Sequence, residues 1–280
     1  MSFNELTLIK AFPFETKSPV LVDVGAHQGS FSKAFAQCGW YVVAFEPEQH
    51  NFAVLQEKIS QLDNIVLISK AVSDTSDSSQ AFYVSKEHYG IHSLKPFHKT
   101  HRLAYNVETV RLDQVLTELR VSQVSLLKID IEGADFLALK SFSFDVYRPE
   151  LVMVEFMDER SKLNFDYTHH DMAQFMNSKG YVTFVSEWEP IKEYGREGVS
   201  SNPHVWIQCV PYPLNHEPAW GNLIFVPKEN QDKFAKTLEN YLKSLKFHKT
   251  TMWLRQALKK IPGAAFVYRQ IIKAPNNVCF

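Results

Sequence analysis

The sequence predicts an α/β domain built on a mostly parallel, seven-stranded-type sheet flanked by helices, with a helical extension at the C-terminus. Three observations predict it. Residues 20–32, Val-Leu-Val-Asp-Val-Gly-Ala-His-Gln-Gly-Ser-Phe-Ser, read as a buried strand, a glycine turn and the start of a helix. Further apolar runs at 41–47, 64–72, 125–131 and 150–156 are separated by segments with helical patterning, the rhythm of parallel strands joined by helices. Several of these runs end in carboxylates, at the sheet end where open α/β folds bind ligands.

The first stretch is the organising one. Asp23 interrupts the apolar run, Gly25 and Gly29 frame the turn, and Ser30 is placed as a helix N-cap ahead of Phe31 and Phe35. Such a turn lets backbone approach a ligand closely and presents free N–H groups. A dinucleotide turn would read G-x-G-x-x-G, whereas here three residues separate only two glycines, and Asp23 would repel a pyrophosphate. The pattern D-x-G-A-x-x-G instead resembles motif I of the class I S-adenosylmethionine (SAM)-dependent methyltransferases. That resemblance implies a turn wrapped around the cationic methionine part of the cofactor, with Asp23, Gly25, Ala26, Gly29 and Ser30 as cofactor residues. His27, inside the turn, could contact substrate or act as a base; the competing reading is a solvent-facing loop histidine.

The chain has 280 residues, 45% of them apolar, and a net charge of −1, which allows a substantial core and gives no whole-chain case for nucleic acid. The charge is unevenly spread. Residues 228–280 carry 11 Lys and Arg against 3 Asp and Glu, leaving 19 against 28 for residues 1–227. Cys38, Cys209 and Cys279 are few and far apart, which suits a reducing compartment and not a disulfide framework. No Cys/His zinc spacing, signal-peptide pattern or membrane-length apolar window is evident, so a cytoplasmic protein is expected.

In chain order, 41–47 is the second strand, with Pro47 ending it and a helix expected over 48–61. Glu46 closes that strand about 20 residues after the turn, where an acid can accept hydrogen bonds from both ribose hydroxyls of an adenosine. Residues 64–72 read as a third strand and 73–79 as a polar loop, with Ser73 and Asp74 either at the adenine edge or in an ordinary turn. A short strand at 81–84 precedes 85–106, which loses periodicity and reads as an irregular insertion holding His88, His92, His98 and His101. Their spacing fits no metal-ligand set, so they are read as surface or substrate-facing. A short extended piece opens 107–119, with Asp113 as N-cap of a helix.

The second informative stretch is 125–135, Ser-Leu-Leu-Lys-Ile-Asp-Ile-Glu-Gly-Ala-Asp. Asp130, Glu132 and Asp135 crowd one strand end, and such acids repel unless a metal ion, a basic residue or the substrate resolves them. Taken with Val-Asp-Val-Gly-Ala at 22–26, Phe-Glu-Pro at 45–47, Leu112-Asp113 and the strand ending at Glu155, Lys-Ile-Asp-Ile-Glu-Gly at 128–133 resembles the FkbM methyltransferases over roughly residues 18–190. The resemblance implies a class I methyltransferase (Rossmann-like) fold and SAM-dependent O-methylation, commonly of sugars or polyketide-type metabolites. Independently of it, O-methylation needs an alcohol held in line with the methyl donor and an acceptor for its proton. Asp130, Glu132 and Glu155 are the carboxylates on the correct side of the sheet; as the competing reading, Asp130 and Glu132 bond loop N–H groups and the cofactor amino group. Asp130 and Glu155, expected side by side, could also hold Mg²⁺.

Residues 157–168 read as charged and irregular, and a helix begins near His169-His170-Asp171 and ends at Gly180. Strands follow at 181–185, 204–210 and 222–227, the last two expected to pair antiparallel, while Trp188, Tyr194 and Arg196 could line a saccharide pocket. The sequence divides as a catalytic domain over 1–227 and a basic extension over 228–280, whose apolar face at Phe234, Leu238, Tyr241, Leu242 and Leu245 suits packing, an oligomer contact or an anionic membrane surface. The expected acceptor is a hydroxyl of a small molecule or sugar. An NAD-linked reductase is disfavoured by the glycine spacing and by the lack of a Tyr-x-x-x-Lys pair, and a catalytically inactive scaffold by the intact acids.

Overall fold

The computed structural model describes residues 3–88, 90–191, 194 and 204–259, with side chains to residue 246. The elements in order are α1 (Glu5–Lys10), β1 (Val20–Val24), α2 (Ser30–Ala36), β2 (Tyr41–Phe45), α3 (Gln49–Lys58), β3 (Ile65–Ile68), β4 (Ala71–Val72), β5 (Asp77–Ser85), β6 (His101–Val110) and α4 (Leu112–Glu118). There follow β7 (Leu126–Ile129), α5 (Asp135–Lys140), β8 (Leu151–Phe156), α6 (Asp158–Phe165), α7 (His169–Ser178), β9 (Tyr181–Trp188), β10 (Trp206–Pro211), β11 (Trp220–Pro227) and α8 (Gln231–Lys259).

The main sheet has the order β10-β9-β11-β8-β7-β1-β2-β3. Strands β3, β2, β1, β7 and β8 run parallel to their neighbours, and β11, β9 and β10 continue the sheet antiparallel. Strands β1, β7 and β8 are buried along their whole length, as parallel strands covered on both faces must be. One face packs Val22, Val24, Phe45, Leu127, Ile129 and Val154 against Leu116, Leu139 and Met172 of the helices. Because β1 and β7 are neighbours in register, Asp23 stands directly opposite Lys128, and the carboxyl ends of β1, β2, β7 and β8 open along one rim.

The chain forms two compact units. One comprises residues 14–230; the other joins residues 1–13 to residues 231–280. Within the second unit the backbone N–H of Asn4 donates to the Tyr241 hydroxyl at 3.0 Å, and Phe12 meets Phe234 with ring centroids 6.2 Å apart. The apolar positions Phe234, Leu238, Tyr241 and Leu245 of α8 are buried. Cys279 and the end of the basic extension lie outside the described residues. No helix among the described residues is long and apolar enough to cross a membrane.

Several local expectations are corrected. The run 64–72 is two strands, because the chain leaves the main sheet at the polar Ser69-Lys70 and β4 joins a separate three-stranded sheet, β4-β6-β5. The segment expected to be irregular, 85–106, is irregular in its described residues between 86 and 100 but ends in strand: residues 101–106 open β6, which pairs antiparallel with β5, and three consecutive exposed positions at Arg102, Leu103 and Ala104 erase the two-residue alternation that would announce it. Residues 157–168 contain a helix, α6, which buries Asp158, Arg160 and Ser161 and so shows no apolar stripe. Ser30 is the first helical residue, Gly29 being the N-cap at φ +83°, and Arg111, not Asp113, caps α4. The 204–210 and 222–227 strands do not pair with each other: β9 lies between β10 and β11, which makes the sheet eight-stranded.

Candidate active site

The β1–α2 turn is clamped to its neighbours by backbone. Gly25 and Ala26 both donate to the Phe45 carbonyl, at 3.0 and 2.9 Å, and Asp130 donates to the Val24 carbonyl at 3.0 Å. Gly25 sits at φ +77°, and a Cβ there would lie 1.9 Å from the Asp130 carbonyl oxygen. The glycine is therefore required by the crossing of two chain segments. Asp23 is fully buried beneath the turn: its Oδ2 accepts from the Ser32 hydroxyl at 2.6 Å, and its Oδ1 lies 3.4 Å from the Lys128 ammonium. Lys128 also donates to the Gly25 carbonyl at 2.7 Å. Asp23 thus holds strand, turn and helix together from below.

Glu46 is buried at the end of β2, with one carboxylate oxygen on the β1–α2 turn and the other on the start of α3. Oε2 accepts from the His27 backbone N–H at 2.7 Å and Oε1 from that of Glu48 at 2.9 Å. His27 reaches this position at φ +50°. Burial pushes the Glu46 carboxyl up to about 7, with the two N–H groups pulling the other way. Each oxygen keeps a further lone pair, so the acceptor pair fits a vicinal diol such as the ribose of an adenosine. Ser73 is buried and donates its N–H to the Val110 carbonyl at 3.0 Å, while the Asp74 carboxylate lies 3.3 Å from Lys140.

Beyond the turn lies the carboxylate cluster. Strands β7 and β8 pair Ile129 with Val154, so Asp130 and Glu155 emerge side by side. Glu132 joins them through a backbone at φ +60°, and one oxygen from each of the three lies within 4.8 Å of the others. Asp135 fixes this bend by accepting the N–H groups of Ile131 and Gly133, both at 2.9 Å. Burial raises Asp135 to about 6, the two N–H groups pulling it back. It pushes Glu132 up to about 8 and Glu155 well above the usual carboxylate range.

Two cations resolve the crowding. Lys128 lies 3.5 Å from Asp130, and buried Arg160 pairs with Glu132 and lies 3.8 Å from Glu155. For both bases the nearby carboxylates outweigh burial and raise the pKa. The carboxylate oxygens are close enough to share a divalent ion, but these two side chains already supply the positive charge. Arg160 donates to the Tyr194 hydroxyl at 3.0 Å and lies over the Phe97 ring, 4.5 Å from its centroid. His98 meets His88 and Tyr194 edge to face, each with centroids 5.3 Å apart. The Ser93 hydroxyl donates to the Glu132 carbonyl at 3.1 Å. The insertion thus reaches the cluster, although His101 is satisfied internally by Ile91 and Phe97.

The described residues bring together Asp23, Gly25, Ala26, His27, Gly29, Glu46, Asp130, Glu132 and Glu155 along one rim of the sheet. Trp188 instead faces Trp220 at 6.1 Å, and Arg196 lies outside the described residues. Sequence reasoning left Lys128 without a role and missed Arg160. The available signal was charge: three strand-end acids require a counter-charge, and Lys128 is two residues before Asp130 while Arg160 is five after Glu155.

The family model described as the methyltransferase FkbM domain matches residues 23–183, which span the turn, Glu46 and the carboxylate cluster. The chain belongs to the FkbM methyltransferase family. It is therefore a SAM-dependent methyltransferase with the class I, Rossmann-like fold. Among curated proteins it is similar to the 2-O-methyltransferase NoeI of Sinorhizobium fredii (strain NBRC 101917 / NGR234), 23% identical over 164 residues, which is 52% of this chain and 66% of that protein. Among solved structures it resembles SMU.1697c of Streptococcus mutans in complex with SAH (S-adenosylhomocysteine; 9% identity, TM-score 0.44, 81% of this chain and 99% of that one). It also resembles an O-methyltransferase of Bacillus cereus in complex with SAH (8% identity, TM-score 0.42, 79% and 77%).

Proposed function

We propose that this FkbM methyltransferase transfers the methyl group of SAM to a hydroxyl of a sugar, a glycan or another small metabolite. The observation that carries this is Asp130. Its backbone bonds β1 one residue before Gly25, so it adjoins the cofactor turn, and its side chain is 42% exposed while Glu132 and Glu155 share the buried Arg160. A hydroxyl acceptor needs a carboxylate that is open to it and near the donor, and Asp130 meets both conditions. The name of the NoeI relative supports oxygen as the acceptor atom.

SAM supplies an electrophilic methyl group, and the residues of this chain arrange what surrounds it. Glu46 accepts the ribose hydroxyls, and Gly25, Ala26 and Gly29 shape the turn, with Ser30 opening the helix behind it. Asp130 receives the proton as the acceptor oxygen attacks, and Lys128, 3.5 Å away, holds that carboxylate in place. Glu132 and Glu155 are positioning groups that fix Arg160, whose Tyr194 and Phe97 neighbours form the acceptor wall with His88 and His98. His27 borders the turn through its backbone contact with Glu46, and Ser73 and Asp74 lie towards the adenine edge. A cluster of aromatic rings of this kind offers faces that suit the apolar side of a sugar ring.

Radiolabelled SAM incubated with a panel of monosaccharides, oligosaccharides and small alcohols tests the reading. Label is expected in a product whose methyl group survives mild alkali, as an ether does and an ester does not. Transfer confined to carboxylates or amines contradicts it.

A further inference from the structure

A second cluster lies in the same unit, built from the first turns of α6 and α7 and the β10–β11 connection. The His169 ring is buried and its Nδ1 lies 2.9 Å from Asp158 Oδ2; the same carboxylate accepts the His169 backbone N–H at 2.8 Å. A carboxylate only accepts, so His169 Nδ1 carries the hydrogen of this contact and Nε2 is the ring nitrogen turned away from Asp158. That Nε2 lies 4.0 Å from Glu217 Oε2. The gap is too long for a hydrogen bond and wide enough for an ion to bridge the two atoms.

His170 completes the arrangement. Its Nδ1 meets the Tyr212 hydroxyl at 2.7 Å, and its Nε2 makes a 3.2 Å hydrogen bond to the other oxygen of Glu217, a contact that a bound ion would replace. The two imidazoles lie almost face to face, with centroids 3.9 Å apart and planes at 36°, so their Nε2 atoms address the same carboxylate. One ligating atom from each of His169, His170 and Glu217 lies within 4.8 Å of the others. Two imidazoles and a carboxylate, with a second carboxylate orienting one ring through its far nitrogen, form the donor set and outer shell typical of a zinc-type site. Glu217, with a side chain 71% exposed, can swing in to shorten these spans.

We propose that His169, His170 and Glu217 bind a divalent transition metal of the Zn²⁺ type, with Asp158 and Tyr212 as positioning residues and one coordination position left to water. The oxygen-only cluster at Asp130 is chemically different and suits harder ions. The bound ion would tie the β10–β11 connection to the start of α7 and, through the Asp158–His169 contact, to α6, the helix that carries Arg160. The inference does not depend on which acceptor is methylated.

The test uses the full-length, untagged protein stripped with chelator and titrated with Zn²⁺ against a chromophoric competitor, and in parallel with Co²⁺. One equivalent is expected to bind, Co²⁺ is expected to show the visible bands of a four-coordinate site, and excess Mg²⁺ is expected not to compete. Glu217→Gln and His170→Ala alter exposed or half-exposed side chains and should fold normally, yet each is expected to weaken Zn²⁺ at least about tenfold and abolish the Co²⁺ bands. Asp158→Asn is expected to weaken Zn²⁺ by about 10- to 100-fold. Absence of stoichiometric binding would overturn the proposal. Binding unchanged in both Glu217→Gln and His170→Ala would overturn it as well, by placing the metal elsewhere.

Discussion

The Lys128 ammonium lies 3.4 Å from the Asp23 carboxylate, across neighbouring strands in which the two residues are register partners. Both are buried, and Lys128 also holds Asp130 and the Gly25 carbonyl. One cation therefore joins the acid beneath the cofactor turn to the acid proposed to receive the substrate proton. Removing one partner of a buried pair strands the other charge. Lys128→Met is expected to lower unfolding stability by about 3 kcal/mol in urea titrations. A loss within experimental error would show that the pair does not carry the turn.

Glu46 gives a pH dependence with a definite sign. Its folded carboxyl is raised to about 7 by burial, so in the free protein it destabilises the fold progressively as pH rises from the unfolded value to about 7. Ribose hydroxyls donate to the ionised form, so binding of S-adenosylhomocysteine should strengthen with pH over the same range. Affinity at pH 6 is expected to be about tenfold below that at pH 8, since about one carboxyl in ten is then ionised. Glu46→Gln should bind more weakly at pH 8 and lose the slope, measured by calorimetry at both pH values. A slope that persists in the variant would assign it to another group.

Arg160 and Asp130 separate charge balance from chemistry. Arg160→Met leaves Glu132 and Glu155 without their guanidinium. Glu132 is already raised to about 8, so the variant's stability loss, about 3 kcal/mol, should be larger at pH 9 than at pH 6, where more of the acids are protonated. Thermal unfolding at the two pH values checks this. Asp130→Asn should instead leave stability and S-adenosylhomocysteine affinity nearly intact while lowering kcat by about 10²- to 10⁴-fold.

Two glycines in one turn should respond unequally. Gly25→Ala drives a Cβ into the Asp130 carbonyl at 1.9 Å from a left-handed backbone, whereas at Gly29 the nearest obstacle is the movable Leu55 Cδ1 at 2.2 Å. The first substitution is expected to lose about 3 kcal/mol or more and the second about 1–2 kcal/mol, again by urea titration. Equal losses would show that the backbone crossing at Gly25 relaxes.

What the sequence made legible was local. The strand–turn–helix at 20–32 and the acids closing β2, β7 and β8 are read directly, because fully buried strands are continuous apolar runs and a carboxylate that ends one stands out. Arg160 was hidden because α6 buries polar side chains and leaves no stripe. The β5–β6 hairpin was hidden because β6 exposes three residues in succession. The insertion of β9 between β10 and β11 is a long-range pairing that no local pattern encodes. Asp23 stood out in the sequence as a carboxylate inside an apolar run; its burial and its pairing with Lys128 emerge only from the register of β1 with β7.

The most direct measurement is calorimetric titration of the purified chain at pH 8 with SAM, S-adenosylhomocysteine and NAD⁺, repeated for Glu46→Gln and Asp130→Asn. The expected result is saturable one-to-one binding of the two adenosyl sulfur ligands alone, weakened in Glu46→Gln and preserved in Asp130→Asn while methyl transfer by the latter collapses. Binding of NAD⁺, no binding of S-adenosylhomocysteine, or equal affinity in Glu46→Gln would contradict the account.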